Sequence, residues 1–198
     1  MSFRGPGVTK IVIATHNAGK INEFLLLLAP LGLTPVSAGE LGLPEPAETA
    51  DDFAGNARLK ALAAARASNL PALADDSGLS VAALNGAPGV FSARFAAGDY
   101  PSAFARILAA AQAAGEYRAW FTCALCFAQP GGTTATYIGE AHGRVSAPQG
   151  SAGFGYDPIF IPDGYTQSYA ELGAAVKDTI SHRARAFAQF AEAYKSKK

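Results

Sequence analysis

Leu73-Ala74-Asp75-Asp76-Ser77-Gly78-Leu79-Ser80-Val81 is the stretch on which the reading of this chain turns. The apolar run from Leu70 to Ala74 has the composition of a buried strand, and it ends in two acids, a hydroxyl and a glycine. Strand ends of this kind are where α/β sheets carry their chemistry. Adjacent carboxylates repel and cost desolvation energy, so a fold keeps them together where a cation or a proton relieves them. In an extended backbone Asp75 and Asp76 point to opposite faces, which predicts one acid in a site and the other in a support. A turn at Ser77-Gly78 would instead swing both inward. The same four residues also suit an ordinary polar turn between two strands, and their spacing alone does not choose.

Working outward, 198 residues of which 49% are hydrophobic can bury one good core. The simplest organisation is a single domain over 1–198, with flexible ends at 1–8 and 196–198. Sixteen acidic residues balance sixteen basic ones, and no basic stripe stands out, which disfavours a nucleic-acid groove or an anionic membrane surface. No apolar segment approaches the length of a membrane span, and Met1 to Gly7 is too short and polar for a signal peptide, so a cytoplasmic protein is expected. Cys123 and Cys126 form a C-x-x-C inside a strand-like run, Trp120 to Phe127. Their odd separation puts the thiols on opposite faces, which predicts buried thiols and not a redox pair or a zinc half-site. His16, His142 and His182 are scattered without metal-ligand spacing.

Lys10 to Ala14 reads as a first strand, Thr15 to Lys20 as a turn and Ile21 to Ala29 as a helix. The order resembles a phosphate loop but is not the Walker type, which wants Gly in place of Ala14 and Ser or Thr in place of Ile21. Helix N-terminal N–H groups beside a lysine still make an anion site, with Thr15 and Asn17 as short polar partners. An ordinary helix cap is the competing reading. Gly32 to Pro46 holds a second strand and a loop. Glu45 and Glu48 then precede an alanine-rich helix from Phe53 to about Ser68, on which Asn56 and Lys60 share a face. By itself that pair reads as solvated surface. After the acidic turn come a strand at Leu79 to Val81, a tight loop at Asn85 to Gly89 and a helix from Pro101 to Ala114. Strands at Arg118 to Ala128 and Thr133 to Gly143 form an antiparallel hairpin across Pro130-Gly131-Gly132.

Gly153-Phe154-Gly155-Tyr156-Asp157-Pro158 is the second unusual loop. Two glycines free the backbone, and Phe154 and Tyr156 project as platforms for a planar base. Ile159 to Ile161 is a short strand, and Lys177 falls in the connection that follows. The last helix starts near Ser181, a suitable N-cap, with Phe187, Phe190, Ala191 and Tyr194 as its core face. His182 and Arg183 occupy its first turn, where positive charge opposes the helix dipole at a cost of a few tenths of a kcal/mol. Either they are a surface pair or their donors face a ligand.

Taken together, these stretches resemble the inosine triphosphate pyrophosphatase family. The resemblance rests on Ala14-Thr15-x-Asn17-x-Gly19-Lys20, Glu48-Thr49, Asn56-Ala57, Lys60-Ala61 and Ala74-Asp75-Asp76-Ser77-Gly78-Leu79. It continues in Gly86-Ala87-Pro88-Gly89, Ser92-Ala93-Arg94, Gly153-Phe154-Gly155-Tyr156-Asp157-Pro158, Ala170-Glu171-Leu172, Lys177 and Ser181-His182-Arg183. The motifs run in family order from residue 11 to residue 187. The resemblance implies an α/β fold with an elongated mixed β-sheet flanked by helices, two lobes with a central substrate cleft, and a homodimer. It implies hydrolysis of ITP, dITP or XTP to the monophosphate and pyrophosphate with Mg²⁺, which cleanses the purine nucleotide pool. Two positions depart from the family: His16 stands where Gly is usual, and Gly55 stands where Glu commonly precedes Asn56.

The resemblance also implies roles. Asp76 would be metal ligand and proton acceptor for the attacking water, or, since a metal-bound carboxylate is a weak base, would orient metal-activated water. Glu48 would be the second metal acid, with Glu45 as its rival and Asp75 as support. Thr15, His16, Asn17, Ala18, Gly19 and Lys20 would meet the phosphates with Ser77, while Lys20, Lys60 and Lys177 offset charge on the leaving pyrophosphate. Phe154 would stack on the purine, Gly155 and Tyr156 would line it, and Asp157 would take a ring N–H. His182 and Arg183 would donate to the 6-keto oxygen that hypoxanthine and xanthine carry; the 6-amino group of adenine would leave those donors unpaired. A catalytically silent purine-nucleotide-binding module is the alternative. An aspartyl-phosphate enzyme fits less well, because adjacent acids do not suit one nucleophile and one proton carrier.

Overall fold

The computed structural model describes residues 9–196. β1 (Thr9–Ile13) lies parallel to both β2 (Leu33–Ser37) and β3 (Ala72–Val81), with Thr9 opposite Leu33 and Val12 opposite Ala72. β4 (Arg118–Ala128), β5 (Thr134–Val145) and β6 (Phe160–Pro162) complete a six-stranded sheet in the order β2-β1-β3-β4-β5-β6. β6 is antiparallel to β5, so the sheet is mixed, as expected. The helices are α1 (Ala18–Leu28), α2 (Phe53–Ser68), α3 (Ser92–Ala96), α4 (Tyr100–Ala114), α5 (Tyr169–Ile180) and α6 (His182–Lys195). Among the described residues no helix is long and apolar enough to cross a membrane.

The chain forms two compact units, neither of them continuous in sequence. The first takes the described residues up to Asp76, then Ala124–Ile138 and everything from Ala186; the second takes Ser77–Cys123 and Gly139–Arg185. The core of the first is built from small side chains: Ala57, Ala61 and Ala65 of α2 pack with Val12, Ala72, Ala74, Ala124 and Cys126. Such residues let helix and strand backbones approach closely at native packing density. The core of the second is aromatic. Phe121 meets Phe160 edge-on at 4.9 Å, and Tyr156, Tyr169 and Phe104 join the same cluster. Both cysteines are buried and unbridged, as expected.

Four expectations need correction. The acidic stretch is no turn: β3 runs unbroken through Asp75, Asp76, Ser77 and Gly78, because each acid finds a lysine without leaving the extended backbone. α1 starts at Ala18, three residues before Ile21, because the Asn17 carboxamide caps the amides of Gly19 and Lys20 at 2.9 and 3.2 Å. Lys177 lies in a helix and not in a connection. α5 opens on a capping box in which Ser168 and Glu171 accept each other's backbone N–H, a signal legible in Ser168-Tyr169-Ala170-Glu171. On α6 the buried face comprises Ala186, Phe187 and Phe190, whereas Ala191 and Tyr194 are half-buried. Of the ends expected to be flexible, 1–8 and 197–198 lie outside the described residues; Ser196 donates its backbone N–H to Glu192.

Candidate active site

Consecutive residues of a strand face opposite ways, and β3 uses this to give each acid a lysine from a different helix. Asp75, with no exposed surface, has its Oδ2 3.0 Å from Lys20 Nζ in the first turn of α1. Asp76, 8% exposed in its side chain, has its Oδ1 3.7 Å from Lys60 Nζ on α2, and the same ammonium donates to Glu48 Oε1 at 2.7 Å. Asn56, one turn before Lys60, donates from Nδ2 to Asp76 Oδ2 at 3.1 Å and accepts from the Ala50 amide at 2.9 Å. Asn56 and Lys60 are therefore buried, not solvated. Asn56, for which sequence reasoning had a shared face with Lys60 but no role, is thus a direct partner of Asp76.

The electrostatics follow from this packing. Burial pushes the Asp76 carboxyl above the ordinary 3.8, and Glu48 adds to the rise; Lys60, Asn56 and Lys20 pull against it without winning. Burial alone would lower Lys60, but Asp75, Asp76 and Glu48 together outweigh it and hold the ammonium above its usual range. Both groups are raised, with opposite consequences: the shift favours the charged form of Lys60, which three acids share, and opposes the charged form of Asp76, which bears its own desolvation. The tension is concentrated on Asp76.

The turn before α1 is ordered largely by its own side chains. Thr15 is buried and its Oγ1 accepts from the Asn17 amide at 3.2 Å. His16 is exposed; its Nε2 lies 3.2 Å from the Leu43 carbonyl and its Nδ1 3.7 Å from Glu45 Oε2. Glu45 thus stands with His16, whereas Glu48 stands with Lys60 and Asp76. Gly55 has a local reason: a Cβ there would sit 2.5 Å from the Ala50 methyl and 3.0 Å from Asp52 Oδ1, the oxygen that caps α2.

In the second unit the Gly153–Pro158 loop is braced by Asp157, which is 2% exposed. Its Oδ2 accepts from the Phe154 amide at 2.9 Å and from Lys177 Nζ at 2.7 Å, and that ammonium lies 4.4 Å from the centre of the Phe154 ring. Gly155 takes φ 64°, a conformation that favours glycine. Tyr156 differs from its expected role as a platform: it is buried, edge-on to Tyr100, and its hydroxyl, pushed up to about 12 chiefly by burial, donates to the Ser92 carbonyl at 2.8 Å. It is a core residue. His182 and Arg183 are 4% and 2% exposed, so they are not a surface pair. The His182 ring stacks on Phe121 at 4.7 Å and 10°, and Arg183 Nη2 donates to Ser77 Oγ at 3.0 Å.

Asp76 and Glu48 supply hard carboxylate oxygens of the kind that magnesium takes in ones or twos when phosphates and water complete its shell. The raised Asp76 carboxyl is a site that added positive charge would relieve. The donor set therefore fits the metal that the resemblance implies.

The chain matches the Ham1 family over residues 11–193. It is 52% identical over 188 residues to a dITP/XTP pyrophosphatase of Gluconobacter oxydans, covering 93% of this chain and 90% of that one. It is 54% identical over 185 residues to a dITP/XTP pyrophosphatase of Rhodospirillum centenum, covering 90% and 91%. The fold superposes on the structure of a HAM1 protein from Coxiella burnetii with a TM-score of 0.87 at 36% identity, over 96% of this chain and all of that one. The buried acids of β3 with their two helix lysines thus sit in a chain that belongs, over nearly its whole length, to the Ham1 family.

Proposed function

We propose that this chain hydrolyses dITP, ITP and XTP to the monophosphate and pyrophosphate, removing non-standard purine nucleotides from the pool. The names of its relatives support the substrate class. The observation that carries the chemistry is Asp76: a buried carboxyl, raised above its ordinary range, sharing Lys60 with Glu48 and steadied by Asn56. A bound cation would lower this carboxyl, so its part as proton acceptor rests on its fixed position beside the water.

Asp76 and Glu48 would hold magnesium, which when bound offsets polyphosphate charge and lowers the pKa of water. The rest is done by the chain itself. Asp76 orients the water and takes its proton as the water oxygen bonds to phosphorus and the linkage between the first and second phosphorus atoms breaks. Lys20 and Lys60 offset the charge that develops on the departing pyrophosphate. Thr15, Asn17 and Ser77 position phosphate oxygens. Phe154 offers its ring to the purine, and His182 and Arg183 donate to the 6-keto oxygen. The role of Asp157 is bracing, given its commitments to Lys177 and the Phe154 amide. Lys177 accordingly serves the Phe154 loop and not the pyrophosphate.

The enzyme is proposed to act as a cytoplasmic homodimer, which light scattering of the purified protein would check. Incubation with a panel of nucleoside triphosphates and magnesium, with product identification, tests the activity. IMP and pyrophosphate from ITP are expected; IDP and phosphate, or binding without turnover, would sink the proposal.

A further inference from the structure

Lys60 is a cation lodged where two acids would grip a metal. Its Nζ lies 2.7 Å from Glu48 Oε1 and 3.7 Å from Asp76 Oδ1, and its side chain is 6% exposed. An ammonium so placed satisfies lone pairs that a metal needs and repels a second cation at short range in a poorly solvated setting. The two oxygens of Asp76 are not equivalent: Oδ2 is held by Asn56, itself anchored on the Ala50 amide, while Oδ1 faces Lys60. Asn56 can therefore keep the carboxylate aimed while Oδ1 changes partners. Lysine suits such an exchange, because its ammonium is a point charge on a flexible stem, without the fixed fork of arginine.

We propose that Lys60 is an internal counterion that masks the Glu48–Asp76 pair until the phosphates of a nucleotide draw it away. The inference rests on the metal site named in the proposed function and adds an order to it. In the free protein the acids are neutralised by Lys60 and hold divalent cations weakly. An arriving polyphosphate competes for the ammonium and exposes the two carboxylates, so nucleotide and metal strengthen each other's binding by the same factor. The enzyme would then assemble its metal centre only around a substrate.

Binding of Mn²⁺ alone to the nucleotide-free full chain, followed by loss of the free-ion paramagnetic resonance signal, tests this without turnover. Lys60→Gln is expected to bind Mn²⁺ at least about tenfold more tightly than the wild type, and Lys60→Arg, which keeps the charge, as weakly as the wild type. The gain should disappear in Lys60→Gln/Glu48→Gln. Lys60→Met provides the same comparison if Lys60→Gln fails to fold. Equal affinities in wild type, Gln and Met forms would overturn the masking and leave the metal site standing. No binding to any form at millimolar Mn²⁺ would remove the metal site, and the masking with it.

Discussion

Arg183 Nη2 donates to Ser77 Oγ at 3.0 Å, and Ser77 is the residue that follows Asp76 in β3. A guanidinium proposed to sense the base is thus bonded to the neighbour, in sequence, of the proposed catalytic acid. Arg183 is 2% exposed and carries donors only, so a purine with an amino group at position 6 would oppose donor to donor. Arg183→Ala is expected to lower the ratio of kcat/KM for ITP over ATP about tenfold or more. Ser77→Ala should shift it in the same direction by less, since it frees the guanidinium without removing it. Competing-substrate assays give the ratio directly, and an unchanged value in Arg183→Ala would exclude Arg183 from base choice.

Asp76→Asn separates chemistry from folding. Turnover should fall by about 10³-fold, within the range for losing a positioned proton acceptor. Stability should move the other way. Burial raises the folded-state carboxyl above 3.8, so the folded chain holds that proton more tightly than the unfolded chain does. Ionisation therefore costs stability, beginning as the pH rises past 3.8 and in full above the raised value. The Asn variant should unfold at a higher temperature than the wild type at neutral pH in the presence of a chelator. That advantage should vanish below about pH 3.8, which thermal scans across pH would show.

The same pair of acids marks how far the sequence could be read. The opposite facing of Asp75 and Asp76 was legible from strand geometry, and the structure uses it to reach two helices. The continuity of β3 was not legible, because a glycine after polar residues is the composition of a turn, and Lys20, Lys60 and Asn56, which meet the two acids along the extended path, are distant in sequence. The Phe154 loop was visible as a glycine hinge. Its locking was not, since the partner, Lys177, lies twenty residues on and in a helix announced only by its capping box. Tyr156 was misassigned because an aromatic between a glycine and an acid looks exposed until the Ser92 carbonyl that receives its hydroxyl is known.

Gly55→Glu, which introduces the residue that the resemblance implies there, is expected to destabilise this chain. An acid near the start of α2 would gain a few tenths of a kcal/mol from the helix dipole. Against that, its Cβ would lie 2.5 Å from the Ala50 methyl, an overlap of the kind that costs about 1–3 kcal/mol. Because the Ala50 amide also anchors Asn56, the strain should reach Asp76 and lower kcat. Ala50→Gly in the same chain removes the clashing methyl and should recover most of the loss. Denaturant unfolding of the two variants and the wild type decides it; a Gly55→Glu form as stable as the wild type would show that the clash is absorbed cheaply.

Asp157→Asn should be among the more damaging substitutions in the second unit. Asp157 and Lys177 are 3% and 5% exposed in their side chains, so Asp157→Asn breaks a buried ion pair, a loss of about 3–5 kcal/mol. The damage should extend to substrate binding. Asp157 holds the Phe154 amide while Lys177 lies over the ring, and a Cβ on Gly153, at φ +77°, would run into Asp157 Oδ2. Loosening this brace should raise KM for ITP several-fold with a smaller change in kcat, since the acids of β3 are untouched. Lys177→Met combined with Asp157→Asn should regain stability relative to Asp157→Asn alone, because an apolar side chain replaces a buried ammonium, yet keep the raised KM. If the double variant recovered the wild-type KM, the pair would be a structural ion pair with no part in presenting Phe154 to the base.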